Sequence, residues 1–380
     1  MNNRKILILY DYFDPAYKAG GPIRSLVNLV RLMEDSVGIH IITSNQDHDG
    51  FIMNVEPDKW IRYGKSAKVL YLSKRNRGLD SIKKIITEVN PEVVYLNGMY
   101  SVYFLVYPLW ILRNWKGIKI IIAPRGMLQS ESLSIKPMKK KIYLFLVKHF
   151  LLRKEINWHV TTIQEKIDLQ IVIGDANEIH EVGNVPHYQK NNKIVSGETQ
   201  ERKIFGTVAL ISPMKNIHLI LETLAIIPSD LTYILYGSIK DQQYWSTCLD
   251  RIKKLPLNIK VRYEGEISPD RVSEAIQNFD FYIQPSKSEN FGHSIFEAFN
   301  LGVPVIISDQ TPWKFLHKKN AGWDVDLTDP QSLEKAICAA IQMDDDTYLE
   351  YRRGSRKIAE DYMGNHDFVS LYKELFRVRP

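Results

Sequence analysis

The chain has 380 residues, 44% hydrophobic and 25% charged, with a net charge of +6. That length exceeds one core of ordinary size and points to two domains, while the composition excludes a disordered or fibrous chain. No apolar run reaches the ~20 residues of a membrane-spanning helix.

The opening, MNNRKILILYDYF, has neither the apolar core nor the cleavage site of a signal peptide. The two cysteines, Cys248 and Cys338, stand in no metal-binding pair. Both features lead us to expect a cytoplasmic protein with reduced thiols.

From the N-terminus the pattern alternates β and α. Residues 5–10, KILILY, form a continuous apolar strand, and Gly20–Gly21–Pro22 then opens an apolar-periodic helix over 23–33. Strands are predicted at 39–43, 68–72, 93–96, 118–122 and 158–161, with helices at 79–89, 102–114, 137–152 and 162–169. Residues 183–202 are polar and turn-rich, and 186–202 read as a linker. Beyond it, strands are predicted at 204–210, 231–236, 259–263, 281–284 and 303–307. The helices there fall at 216–226, 242–253, 269–278, 294–301, 330–342, 347–363 and 367–376.

Continuous apolar strands joined by helical crossovers mean parallel sheets covered on both faces. The prediction is an α/β chain of two Rossmann-like, doubly wound domains facing a central cleft, residues 1–185 and 203–363. The last helix, about 364–380, is expected to pack back on the first domain. Ligands of such sheets sit beyond the carboxyl ends of strands, near helix N-termini.

The sharpest motif is SENFGHSIFEAFNLGVPVIISD, residues 288–309. Glu289 and Glu297 stand eight positions apart around the tight loop Asn290–Phe291–Gly292–His293, between a strand and a helix. Glycine lets backbone approach a ligand closely, and the first N–H groups of a helix bind anions or hydroxyls. A carboxylate suits the two adjacent hydroxyls of a ribose, because it accepts from both. Ser294-x-x-Glu297 also fits a capping box, in which Glu297 would fold back on its own helix.

These residues resemble the Glu-x7-Glu signature of retaining glycosyltransferases of family 4, which have the GT-B fold. Ala19–Gly20–Gly21–Pro22 is similar to that family's first loop, and Ile211–Ser212–Pro213–Met214–Lys215–Asn216 to its phosphate-binding segment. The resemblance implies that Glu297 binds the ribose of a nucleotide and Glu289 contacts the donor sugar. It also implies that the amides of Phe291, Gly292 and His293 touch sugar and diphosphate. Lys215 would neutralise the leaving diphosphate, a role that also follows from the charge a departing diphosphate builds up. One departure stands out. The family usually carries an arginine five residues before that lysine, and this chain has Leu210.

Gly20 and Gly21 read as a backbone cradle for the diphosphate or as a plain flexible turn. Arg24 reads either as the replacement cation or as a solvated helix residue. For the acceptor side the candidates are Asn97, Arg125 and Glu165. Arg125 fits an acceptor phosphate or carboxylate, or else a strand-end salt bridge. Glu165 fits a lining residue or a helix surface. Asp47–His48–Asp49 matches a short metal-binding pattern, but its Gly-bounded polar setting reads as a solvated turn. No metal and no other cofactor is expected.

Lys136, Lys139, Lys140, Lys141, Lys148, Arg153 and Lys154 flank or interrupt IYLFLVKHFLL, a pattern that fits either an anionic membrane face or an ordinary solvated helix. No nucleic-acid module accompanies the charge. The expected activity is transfer of a sugar from a nucleoside diphosphate sugar to a glycan or lipid-linked acceptor. Alternatives are a non-catalytic transferase-like partner subunit and a sugar-nucleotide epimerase.

Overall fold

A computed structural model describes residues 4–134, 136–152, 155–174, 178–190 and 203–377. Most of the expected linker (191–202), the basic Arg153 and Lys154, and residues 378–380 lie outside the described residues. The chain divides into two compact units. Unit 1 is Met1–Val185 with Asp367–Pro380, and unit 2 is Pro186–His366.

Unit 1 contains, among its described residues, strands β1 (Lys5–Leu9), β2 (Gly38–Ser44), β3 (Trp60–Tyr63), β4 (Ala67–Leu72), β5 (Val93–Asn97), β6 (Lys119–Ala123), β7 (Asn157–Val160) and β8 (Glu178–Glu181). Their order is β3-β4-β2-β1-β5-β6-β7-β8. Pairing is parallel throughout, except that β3 runs antiparallel to β4. The central strands are fully buried apolar runs, such as VVYLN in β5. β3 and β8 are short edge strands with half-exposed side chains, so they lack the apolar run that reveals a strand in sequence.

The predicted helix at 102–114 is divided. Val102–Val106 is a π turn and Tyr107–Leu112 is α-helical, with Pro108, which has no N–H to donate, in the first turn of the second piece.

Unit 2 contains, among its described residues, the parallel strands β9 (Lys203–Val208), β10 (Leu231–Tyr236), β11 (Ile259–Gly265), β12 (Phe281–Gln284), β13 (Val305–Ser308) and β14 (Gly322–Val325), in the order β11-β10-β9-β12-β13-β14. Phe205 and Phe281, both fully buried, stack at 5.3 Å between ring centres across β9 and β12. Each such side chain contributes roughly 1.5–3 kcal/mol on burial.

In each sheet the winding direction reverses once. In unit 1 the reversal lies between β1 and β5, and in unit 2 between β9 and β12. Loops leaving the carboxyl ends of such a strand pair diverge and leave a crevice, where ligands of this architecture bind.

The chain returns to unit 1 through the helix Phe368–Leu375. Tyr372 donates to the carbonyl of Gly183 at 3.2 Å, and Phe376 packs edge-on against Tyr95.

Candidate active site

The loops after β9 and β12 meet at the reversal point of unit 2. Pro213–Lys215 is a single 3-10 turn ended by Asn216 in the left-handed conformation, and the amide of Lys287 donates to the carbonyl of Met214 at 2.9 Å. This clamps the two loops together and brings Lys215 and Glu289 into an ion pair. The same carboxylate oxygen accepts from Gln284 Nε2 at 2.7 Å and from Ser286 Oγ at 2.8 Å. Gln284 and Ser286 are themselves buried, and Tyr282 donates to the Gln284 amide oxygen at 2.5 Å. Glu289 is thus held in one orientation by three donors. Sequence reading missed both Gln284 and Ser286; their position at the carboxyl end of β12, Gln284 as its last residue and Ser286 two beyond, was the available signal.

Gly292 begins the helix His293–Leu301 with φ 77°, a conformation that favours glycine. An added Cβ would stand 2.8 Å from Ile295 Cδ1. The capping-box alternative fails. Gly292 is the N-cap and makes no side-chain cap, and Glu297 points to another helix, where Ser273 Oγ donates to its Oε1 at 2.6 Å. Glu297 is 2% exposed.

The helix N-terminus presents N–H groups and a positive dipole end beside the ion pair. Phe291 is an anchor of the loop: its ring packs on Phe296, Trp313 and Tyr362, and its carbonyl accepts from Trp313 Nε1 at 2.7 Å. The half-buried His293 ring lies 4.8 Å from it. A cavity of about 210 Å³ runs along the helix that carries Ser273, lined by Tyr236, Glu264, Ile267 and Arg271 among others.

Leu210 supplies no cation to the loop that carries Lys215, and Lys240 lies near enough to Lys215 to feel its charge. The Lys240 amide and that of Asp241 both donate to Ile211 O, at 3.0 and 3.3 Å, while Ile211 N donates to Ser238 O at 2.9 Å. Gly237, at φ 144°, permits this close approach, since a Cβ there would fall 1.8 Å from Ala209 O. Partial loss of water and then the charge of Lys215 lower the Lys240 pKa. No acidic side chain pairs with Lys240 among the described residues. Two neighbouring lysines, only one of them paired with a carboxylate among the described residues, favour an incoming anion. Lys240 lies three residues beyond Gly237, and nothing in its local sequence distinguishes it from a surface lysine.

In unit 1, Gly20 has φ 83° and caps the helix Gly21–Met33, with Pro22 in its first turn and Arg24 half-buried on its first turn. The loop before it is held from an unexpected quarter. Asp47, only 5% exposed, accepts from the amides of Tyr17 and Lys18 at 3.1 and 3.3 Å. The reading of Asp47–His48–Asp49 as a solvated turn is therefore corrected at Asp47, a buried brace for the Gly20–Gly21 loop.

The three acceptor candidates come together, but deep in unit 1 and bonded to the protein itself. Arg125 Nε donates to Asn97 Oδ1 at 3.0 Å, and its other two nitrogens donate to Asn184 Oδ1 at 2.9 Å and Tyr95 Oη at 2.7 Å. Tyr95 Oη in turn meets His159 Nδ1 at 2.6 Å, and His159 Nε2 meets Val182 O at 2.8 Å. A carbonyl only accepts, so His159 carries its proton on Nε2 and accepts from Tyr95 on Nδ1. Burial and the Arg125 charge push the His159 pKa down to about 3.

Glu165 accepts from Gly126 N at 2.6 Å and from Thr161 N and Oγ1 at 2.7 and 2.8 Å. Asn97, Arg125 and Glu165 are 0, 7 and 1% exposed. We correct their assignment accordingly: they hold the end of unit 1 together, because their polar atoms already bond one another's neighbours. Among the described residues no salt bridge ends the strand at Arg125; its partners there are neutral oxygens. Among the described residues, no group of three or more His, Cys, Asp or Glu is placed to hold a metal ion.

Residues 189–358 match the family model for glycosyl transferases group 1. No curated protein matches the chain in sequence. Among solved structures it is similar to sucrose-phosphate synthase from Thermosynechococcus elongatus, at 17% identity over 98% of this chain and 99% of that one, with a TM-score of 0.74. It is also similar to HepE from Anabaena, solved with UDP and glucose, at 17% identity over 98% of each chain and a TM-score of 0.69. A third is WaaG, a glycosyltransferase involved in lipopolysaccharide biosynthesis, at 14% identity over 98% of each chain and a TM-score of 0.68. At these identities the likeness is one of fold, two parallel-sheet α/β domains of the GT-B kind.

Proposed function

With residues 189–358 a glycosyl transferases group 1 domain in a chain of GT-B fold, we propose that this transferase moves a sugar from a nucleoside diphosphate sugar to a hydroxyl of a glycan or lipid-linked acceptor, with retention at the anomeric carbon. The setting is the cytoplasm, in cell-surface polysaccharide synthesis. The observation that carries the reading is the Lys215–Glu289 pair at the reversal point of unit 2, beside the N-terminus of the helix His293–Leu301.

In this reading the diphosphate lies between Lys215, Lys240 and that helix end. As the bond from sugar to phosphate breaks, negative charge grows on the phosphate oxygen. Fixed positive groups stabilise this more in the transition state than in the ground state. Glu289 orients the sugar, and the Glu297 carboxylate receives ribose hydroxyls. No metal is required by this scheme. HepE was solved with UDP-glucose, which makes that class of donor the first to try.

The test is titration calorimetry and turnover with a panel of nucleoside diphosphate sugars. Lys215→Ala is expected to lower turnover on the order of 10²–10³-fold, as removal of one transition-state donor does. Glu297→Ala is expected to weaken nucleotide binding on the order of 10²-fold. Nucleotide affinity and turnover equal to wild type in both variants would overturn the site. Release of sugar or transfer to an acceptor, rather than conversion of one sugar nucleotide into another, separates a transferase from an epimerase; a non-catalytic partner subunit would do neither. The anomeric configuration of the product by NMR reads out retention.

We further propose that the helix Pro137–Phe150 rests on an anionic membrane. Met138, Ile142, Phe145, Leu146 and Phe150 are 48–70% exposed on it, interleaved with the exposed Lys139, Lys141 and Lys148. Apolar side chains enter the interface while lysines meet anionic headgroups. Lys140 differs, since it donates to the carbonyl of Ser132. Flotation with vesicles containing anionic lipid should capture the protein. Replacing Lys139, Lys141 and Lys148 by Gln should release it, and unaltered flotation of that variant would refute the contact.

A further inference from the structure

A second cavity, of about 470 Å³, belongs to the edge hairpin of the unit 1 sheet and is lined by Trp60, Ile61, Arg62, Lys65, Ser66 and Lys68. Arg62 of β3 stands directly opposite Lys68 of β4 in the antiparallel register, and Lys68 stands beside His40 of β2. Residues paired in this way project from the same face of a sheet, so three basic side chains form one row across three strands. Lys68 is the second residue of β4 and His40 the third of β2. The row therefore lies at the amino ends of the parallel strands, opposite the end where doubly wound sheets bind their usual ligands.

Like charges directly opposite each other across a β ladder destabilise it. Neighbouring lysines are paired, Lys59 with Glu56 and Lys65 with Asp35, but Arg62 and Lys68 meet no acidic side chain among the described residues. No carboxylate lines the cavity. The positive field reaches His40, whose pKa is lowered by loss of water and then by the charges of Lys68 and Lys5. Charges on an edge strand discourage pairing between sheets, yet that role calls for neither an aligned row nor the half-buried Trp60 beside it. The Trp60 ring stands edge-on to His40, 5.3 Å between ring centres, and packs against the core of unit 1. The turn between the strands is braced. Glu34, 7% exposed, accepts from the Lys65 amide at 2.6 Å, its main-chain carbonyl accepts from Ser66 Oγ at 2.5 Å, and Arg62 donates to the Lys65 carbonyl.

We propose that this cavity binds an acidic sugar, its carboxylate or phosphate bridging Arg62 and Lys68 and its ring lying against Trp60. An anion placed between two like cations replaces their repulsion with two attractions. Guanidinium and ammonium groups both donate to carboxylate and phosphate oxygens in charge-assisted bonds. The indole offers a flat apolar wall to the C–H face of a sugar ring, whose hydroxyls stay in water. The occupant is a free sugar acid or sugar phosphate, or one unit of an acidic glycan. In a transferase acting on such a glycan, the site holds the chain at a unit other than the one that reacts. The choice of a sugar rests on the transferase reading, whereas the anion rests on the row of cations alone.

The test uses the full chain with isotope-labelled tryptophan, as wild type, Arg62→Gln, Lys68→Gln and the double variant, and Trp60→Phe assigns the Trp60 indole signal by NMR. The probes are glucuronic acid, glucose 6-phosphate, a glucuronate-containing oligosaccharide, glucose and inorganic phosphate. At least one acidic sugar is expected to shift the Trp60 signal saturably in wild type, with glucose and inorganic phosphate weaker on the order of 10-fold. Tighter binding of the oligosaccharide than of glucuronic acid marks a glycan as the source, and equal or weaker binding marks the free sugar. Each single variant should weaken the acidic sugar on the order of 10–100-fold. Calorimetry with UDP, GDP and ADP should show the nucleotide site of unit 2 unchanged. Removing one of two opposed cations should hold or raise the melting temperature, whereas a merely structural role would lower it. The His40 pKa should rise when the sugar binds, as the Lys68 charge is neutralised. No response of Trp60 to any acidic sugar, an equal response in wild type and variants, or tighter binding of inorganic phosphate than of the acidic sugars would overturn the proposal. Loss of vesicle flotation in the double variant would assign the row to lipid headgroups and overturn it as well. Nucleotide binding that persists in those cases leaves the transferase reading intact, and its absence from wild type would count against that reading instead.

Discussion

Lowering pH through the ordinary histidine range should destabilise unit 1 through His159. This imidazole is fully buried, accepts from Tyr95 and donates to Val182, and lies near the Arg125 cation, so protonation would break the Tyr95 bond and add a second positive charge. Its pKa is about 3 in the folded chain against an ordinary 6.5.

A histidine with a depressed folded pKa contributes stability that is fully present above about pH 6.5. That stability drains away as pH falls towards the folded value, because the unfolded chain gains the proton first. At 1.36 kcal/mol per pK unit, the loss by about pH 5 comes to ~2 kcal/mol. Glutamine at this position can still accept from Tyr95 and donate to Val182 but does not titrate. Urea denaturation of wild type and His159→Gln at about pH 7 and about pH 5 isolates the contribution. Wild type should lose roughly 2 kcal/mol more than the variant. Histidine NMR should show this ring neutral in the folded protein throughout. Equal losses in the two proteins, or uptake of a proton by folded His159 above about pH 5, would refute the reasoning.

Three other outcomes follow from the geometry. Lys240→Ala should weaken nucleotide binding roughly 10-fold by calorimetry, as one charge-assisted bond is lost, and leave the melting temperature unchanged or slightly raised, because a like-charge contact with Lys215 disappears. Gly237→Ala places a Cβ 1.8 Å from Ala209 O, so the loop bearing Lys240 must move; thermal melts should show a cost of roughly 2 kcal/mol or more, with weaker nucleotide binding. Arg125→Lys keeps the charge and loses the fork that reaches Asn97, Asn184 and Tyr95 together. A drop of roughly 2–4 kcal/mol in denaturation is expected, with nucleotide affinity in unit 2 untouched.

Much of the fold was legible because buried parallel strands are continuous apolar runs. Leu231–Tyr236 and Phe281–Gln284 were placed to the residue, as was the helix Leu79–Val89, whose apolar positions recur at helical spacing. What escaped were elements without such a signal. β3 and β8 are half-exposed edge strands, and β14 (GWDV) is short and begins with a glycine. The Glu289 and Glu297 motif could be read because a strand, a glycine turn and a helix follow one another within a few residues. The capping-box alternative could not be settled there, since Ser273, the partner that draws Glu297 away, is 24 positions distant.

Local order in the chain therefore determined the α/β alternation and the turn-to-helix loops that carry Lys215, Glu289 and Glu297. Those features depend on neighbours in sequence, whose periodicity and turn chemistry are written in the residues themselves. Only the tertiary structure decided which polar groups remain available to a ligand. Arg125 and Glu165 looked like acceptor residues until Asn184, 59 positions away, and Gly126, 39 positions away, were found bonded to them. A side chain's bonding capacity is divided among groups that meet through sheet order, and sheet order is not a local property of the sequence.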